Sequence, residues 1–239
     1  MSLTLEICAN SVQSALAAQA GGAHRIELCQ NLEQGGTTPS YGLIRQARAL
    51  LRIPVFVLIR PRPGDFVYDA NELAIMQADV LACRELGCDG VVLGALTPAG
   101  RIDVPRCREL VALAHPLPVT FHRAFDDCVD LTQALEDVIV TGCQRLLTSG
   151  GQPSAEAGQA TLAALVQQAA GRLRIMPGAG INPANLTALA ARTGAKEFHA
   201  SARRQLPPSP HTRLAEFAAV RWETDAATVA ALRQAGANS

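Results

Sequence analysis

The stretch PVFVLIRPRPGDF, Pro54 to Phe66, begins as a buried strand and ends as something else. Its first half is a continuous apolar run rich in β-branched residues, the mark of a short core strand. Its second half carries Arg60 and Arg62 among prolines, then Gly64 and Asp65. The prolines stiffen the exit from the strand, and Gly64 permits a tight turn. Arg60 and Arg62 therefore read as fixed cations, suited either to an anionic ligand or to neutralising nearby acids.

Seven further runs share this strand character: Leu3–Cys8, Arg25–Cys29, Gly90–Gly94, Pro118–His122, Gln144–Thr148, Arg172–Met176 and Lys196–Ala200. Between them lie helical patterns at Ser11–Ala20, Ser40–Leu51, Asn71–Leu86, Pro105–Ala114, Leu131–Thr141, Ala155–Ala170 and Pro183–Arg192, with a last one at Ala226–Ala235. Gly21-Gly22, Gly87, Gly142 and Gly194 each follow a helix, where a left-handed residue closes the last turn. Asn182 before Pro183 reads as an N-cap followed by proline at N1. Eight strand–helix units predict one α/β domain over residues 1–239, a (β/α)₈ TIM barrel, in preference to an open doubly wound sheet. The proline-rich residues 205–224 read as a long excursion before the C-terminal helix.

The 21 basic and 21 acidic residues of the 239 cancel. An extended nucleic-acid surface needs uncompensated Lys and Arg, so that class is excluded. No apolar run approaches the ~20 residues of a membrane span, and Met1–Asn10 lacks a signal-peptide pattern. The expectation is a cytoplasmic protein with no membrane partner. Seven cysteines without a C-x-x-C pair fit thiols in a reducing compartment.

A barrel places its chemistry where strands run out into the following loops. Here those ends carry Glu6 and Cys8, Glu27 and Cys29, Arg60 and Arg62, His122 with Asp126 beyond, Thr148-Ser149-Gly150, Gly178-Ala179-Gly180, and His199 with Ser201. Glu6, Glu27, His122, Asp126 and His199 are the candidate acid–base groups. Arg60, Arg62, Ser149, Gly150, Gly178, Gly180, Asn182 and Ser201 are the candidate anion-binding set, because glycine-rich turns at helix starts expose backbone N–H groups. Each has a bland reading as a cap, an ion pair or a backbone-bonded histidine; their convergence on one face is what gives them weight.

Eight segments together resemble the copper-homeostasis CutC family: EICANS (Glu6–Ser11), RIELCQNLEQGGTTPSYG (Arg25–Gly42), IRPRPGDFVY (Ile59–Tyr68), DGVVLGAL (Asp89–Leu96), TFHRAFD (Thr120–Asp126), RLLTSGG (Arg145–Gly151), IMPGAGIN (Ile175–Asn182) and EFHASAR (Glu197–Arg203). The resemblance spans roughly the first 200 residues, in order. It implies a cytoplasmic TIM barrel, a homo-oligomer such as a dimer, and a role in copper tolerance. It also implies Cu(I) binding at the cysteines of EICANS and RIELC, Cys8 and Cys29, and it brings no established reaction.

Two functions stand side by side. One is a copper-homeostasis protein whose Cys8 and Cys29 hold Cu(I), a soft ion that favours thiolates. The other is an enzyme acting on a small phosphorylated or carboxylated metabolite, with the acids and histidines as catalysts. A metal-dependent hydrolase is a third, weaker reading.

Overall fold

Each apolar run forms a strand, and the helical patterns that follow form helices. The computed structural model describes residues 3–207, His211, Leu214 and 221–237. The chain runs β1 (Thr4–Ala9), α1 (Val12–Ala20), β2 (Arg25–Leu28), α2 (Tyr41–Leu50), β3 (Val55–Leu58), α3 (Ala70–Glu85), β4 (Gly90–Leu93) and α4 (Val104–Ala114). It continues β5 (Val119–Phe121), α5 (Leu131–Thr141), β6 (Arg145–Thr148), α6 (Gln159–Ala169), β7 (Arg174–Pro177), α7 (Leu186–Thr193) and β8 (Glu197–Ala200). A short hairpin of β9 (Arg203–Gln205) and β10 (Trp222–Thr224) precedes α8 (Ala226–Ala237).

The eight strands are parallel, in the order β7-β6-β5-β4-β3-β2-β1-β8. This is a nearly closed TIM barrel. At the seam, β7 and β8 are bridged by an Arg174–Glu197 ion pair at 3.5 Å, and Gly178 packs beside His199. None of the helices among the described residues is long and apolar enough to cross a membrane.

The two-residue period of each strand sorts its side chains. Ile7, Ile26, Val57, Val91, Phe121, Leu146 and Phe198 join one large apolar core. The alternate positions Cys8, Phe56, Leu58 and Val92, with Cys29, form a separate small cluster within the barrel. Barrels of this kind are usually filled by branched aliphatics. This one carries charge instead. Arg25 Nε donates to Glu6 at 2.5 Å and Arg25 Nη2 to Glu197 at 2.6 Å, while Arg145 Nε reaches Glu197 at 2.5 Å. Phe56 packs against both arginines, its ring centroid 5.5 Å and 5.4 Å from their guanidinium carbons.

Two local expectations are corrected. Helix α7 starts at Leu186, because the Asn182 carboxamide accepts the Ala184 and Asn185 N–H groups and turns residues 183–185 before the helix begins. The β9–β10 hairpin was not expected. It docks on α1 through Thr224 N–H to Ser14 Oγ and Asn10 Nδ2 to the Trp222 carbonyl. Most of the expected excursion over 205–224 lies outside the described residues.

Candidate functional site

A cavity of about 300 Å³ opens at the C-terminal ends of the strands. Its lining includes Cys8, Glu27, Arg60, His122, Gly180, His199 and Ser201 from the candidate set, joined by Arg123 and Arg203. Strand parity explains the grouping. Cys8 is the β1 partner of Glu27, and Glu6 is the partner of both Arg25 and His199. Counting two residues on from Glu6, Arg25 and Glu197 therefore gives Cys8, Glu27 and His199, one step closer to the mouth.

Cys8 and Cys29 both turn inward, with their sulfurs 3.3 Å apart and both residues buried. Cys8 lines the cavity and Cys29 stands behind it. The Cys8 thiol is held well above its ordinary pKa, first by its hydrogen bond with Cys29 and then by burial. Ligand atoms of Cys8, Glu27 and His199 all lie within 4.8 Å of one another, a donor set able to hold a metal ion.

His199 is bracketed by acids. Its Nδ1 meets Glu6 Oε1 at 2.8 Å, and its Nε2 lies 3.8 Å from Glu27 Oε2. Burial disfavours the imidazolium, but Glu27, Cys8 and Glu6 outweigh it and raise the pKa well above 6.5. Burial likewise acts upward on Glu6, yet Arg25 and then His199 bring it down to about 2. Glu27, without an arginine of its own, is moved upward by burial.

Across the mouth, Arg60 is 5% exposed and clamps two loops. Its Nη1 donates to the Gln34 and Gly36 carbonyls at 3.0 and 2.8 Å, and its Nη2 to Gly64 at 2.6 Å. It forms no ion pair with Glu6 or Glu27, which turn to Arg25 and His199. His122 is equally buried; its Nδ1 accepts the Ala124 N–H at 3.2 Å. Burial, with Arg60 nearby, lowers its pKa to about 3.

The other candidates are engaged elsewhere. Arg62 is held by Glu72 and Asp65. The Asp126 carboxylate accepts from the Thr148 hydroxyl, from the Ser149 and Gly151 N–H groups and from Arg123, which fastens the loop after β6. Ser149 is tied into that loop through Asp126 and Arg123. Gly150 donates to Thr148 Oγ1, Gly178 to the Thr148 carbonyl and Asn182 to Asn185 Oδ1. Of that glycine turn, Ala179, Gly180 and Ile181 face the cavity.

Sequence reasoning passed over Arg25, Arg145 and Glu197 as members of the barrel's charged interior. The signal was available for two of them: Arg25 and Glu197 are each the inward residue one step before a site position, Glu27 and His199. Arg123 and Arg203 also stand at strand ends in the sequence but were left out of the candidate set; both line the cavity, and each has a local partner as well, Asp126 and Trp222 respectively.

The family model for the CutC family matches residues 3–204. A CutC family protein of Chromobacterium violaceum is 54% identical over 98% of both chains. One from Xanthomonas campestris pv. campestris is 53% identical over 96% of this chain and 97% of its own. Among solved structures, a Streptococcus agalactiae CutC, assigned by name to copper homeostasis, superposes with a TM-score of 0.79 at 37% identity. That alignment covers 83% of this chain and 98% of the other. A thiamine phosphate pyrophosphorylase from Pyrococcus furiosus superposes at a TM-score of 0.63 with 17% identity, a likeness of fold alone. By sequence and by architecture, this chain belongs to the CutC family.

Proposed function

We propose that this protein serves copper homeostasis in the cytoplasm by holding Cu(I) at the barrel mouth, between Cys8 and Cys29 with His199 beside them. The observation that carries this reading is the 3.3 Å approach of two buried sulfurs next to an imidazole. Two thiolates make a soft, low-coordinate donor set, which suits Cu(I) better than a hard divalent ion. The names of the relatives point the same way. Seven free cysteines fit a reducing compartment. The test is competition between the reduced protein and a Cu(I) chelator, with an expected stoichiometry of about one ion per chain. Cys8→Ser and Cys29→Ser should each lose the ion to the chelator. A double serine variant that retains copper as well as the parent refutes the reading.

A second reading is supported by the bracketed imidazole. Glu6–His199–Glu27 beside Arg60, Arg123 and Arg203 is the arrangement of a proton-transfer site facing an anion. Under it the protein is an enzyme acting on a small phosphorylated or carboxylated metabolite. Glu27 and His199 carry the proton, and Glu6 orients the imidazole. Screening such metabolites for turnover tests it, with Glu27→Gln expected to abolish any activity found.

A further inference from the structure

Among the described residues, three buried side-chain polar atoms have no hydrogen-bond partner: Arg60 Nε, Tyr68 Oη and His122 Nε2. They are not scattered. Arg60 and His122 line the same cavity, and the Arg60 charge acts on both His122 and Tyr68. The Tyr68 hydroxyl approaches the guanidinium without making a hydrogen bond of good geometry. One aromatic ring packs on two of the three, with Phe66 4.9 Å from the Arg60 guanidinium carbon and 5.0 Å from the His122 ring.

All three atoms can donate a hydrogen bond. His122 Nδ1 accepts the Ala124 N–H, so the proton of the neutral ring sits on Nε2 and that nitrogen is a donor. A guanidinium Nε can only donate, and a phenol is free to donate. A buried donor left unpaired is costly, and a cationic one more so. The Tyr68 oxygen lies near enough to Arg60 to feel its charge, but Arg60 Nε and His122 Nε2 are pure donors left without an acceptor, and two such donors at one cavity describe a site that an anionic oxygen completes.

We propose that Arg60, His122 and Tyr68 form an oxyanion subsite for the carboxylate of a small organic acid, with Phe66 as its movable cover. The rest of the cavity then receives the body of the acid, facing Glu27 and His199. Phe66 is only partly buried, on the loop between Arg60 and Tyr68. Displacing its ring uncovers the donors to a ligand in the cavity. A carboxylate fits this donor set better than a phosphate dianion, because one of the two donors at the cavity wall is a neutral imidazole and only one is a cation. The subsite gives the second reading its ligand class and rests on that reading only in sharing its cavity. The Cys8–Cys29 pair takes no part in it.

The test reads binding and not turnover. Succinate serves as the probe, succinamide as its uncharged counterpart and inorganic phosphate as the competing oxyanion. Titration of metal-free protein with succinate should shift the His122 Nε2–H resonance saturably and raise the melting temperature. Succinamide should bind at least about tenfold more weakly, the usual worth of a charge-assisted contact. His122→Phe keeps a planar ring and removes the donor, and should weaken succinate by a similar factor. Phe66→Ala keeps every donor and lifts the cover, and should bind succinate at least as tightly as the parent. The proposal is overturned if millimolar succinate leaves the His122 resonance unmoved. It is equally overturned if succinamide matches succinate, or if phosphate binds in preference and is indifferent to His122→Phe. Succinate binding without turnover of any acid would refute the enzyme reading and leave the subsite standing.

Discussion

Glu6 joins the barrel's buried charges to its mouth: one carboxylate oxygen takes Arg25 Nε at 2.5 Å and the other meets His199 Nδ1 at 2.8 Å. Glu6 is fully buried, so its two partners must come from within the barrel. Arg25 is shared in turn with Glu197, which also holds Arg145. A charge removed anywhere along this chain strands its neighbour in a low-dielectric interior.

Arg25→Met should therefore destabilise the fold severely. Breaking a buried pair from one side costs about 3–5 kcal/mol, because the remaining charge is left uncompensated. Urea unfolding should show the loss as a lower midpoint with little change in slope. The exposed Arg172–Glu136 pair provides the contrast: solvent screens it, and Arg172→Met should cost far less. Equal costs at the two sites would mean that the interior network is not electrostatically strained by the loss.

Stability should peak near pH 6.5 for opposite reasons on the two sides. His122 is lowered from 6.5 to about 3, so below 6.5 the unfolded chain takes up a proton that the folded one refuses. That costs about 1.4 kcal/mol per pH unit until roughly pH 3. Glu6 is lowered from 4.5 to about 2, so its contribution is full above 4.5 and drains away as the pH falls through that window. His199 is raised, so its contribution is full below 6.5 and is lost as the pH climbs through its higher folded pKa. Denaturant melts from pH 3 to 9 check this, and His122→Phe should flatten the limb between 4.5 and 6.5.

The alternation of apolar strands and periodic helices was enough to place all eight barrel strands, because each strand is short and most are set off from the preceding helix by glycine or proline. The site was legible to the extent that parity made it so. Glu6, Cys8, Glu27, Arg60, His122 and His199 all stand at strand ends, and all turn to the interior or its mouth. Arg62 and Asp126 stand at similar places in the sequence and turn away. What separates them is the partner each finds in three dimensions: Glu72 for Arg62, the backbone of the β6 loop for Asp126. No spacing rule carries that information. Whether Arg60 would be neutralised by Glu27 was likewise open, since it depends on carbonyls from two separate loops.

Gly90 tests the packing beneath the site. A methyl group there would fall 2.3–2.6 Å from three atoms of the Phe56 ring. That ring also packs against Arg25 and Arg145, so it has little room to give. Gly90→Ala should cost about 1–3 kcal/mol by overpacking. Combining it with Phe56→Leu should recover part of the loss, which a double-mutant cycle would read as coupling. Additive losses would place the clash elsewhere.

Copper binding should release protons, and its pH dependence should report how many. The Cys8 thiol is held protonated by its hydrogen bond with Cys29 and by burial, so the ion must displace that proton to engage the sulfur. If both thiols deliver thiolates, apparent Cu(I) affinity should rise by about a hundredfold per pH unit near neutrality, ten for each proton displaced. If only one thiolate forms, the rise should be about tenfold. Cys29→Ser removes one sulfur and also relieves Cys8 of the partner that holds its proton most strongly. Any residual affinity in that variant should therefore follow the shallower slope, with Cys8 reacting faster with iodoacetamide than in the parent. Chelator competition at pH 6, 7 and 8, run on parent and variant, gives the slopes directly. A pH-independent affinity in the parent would mean that neither thiol is a ligand, and the copper reading would fall with it.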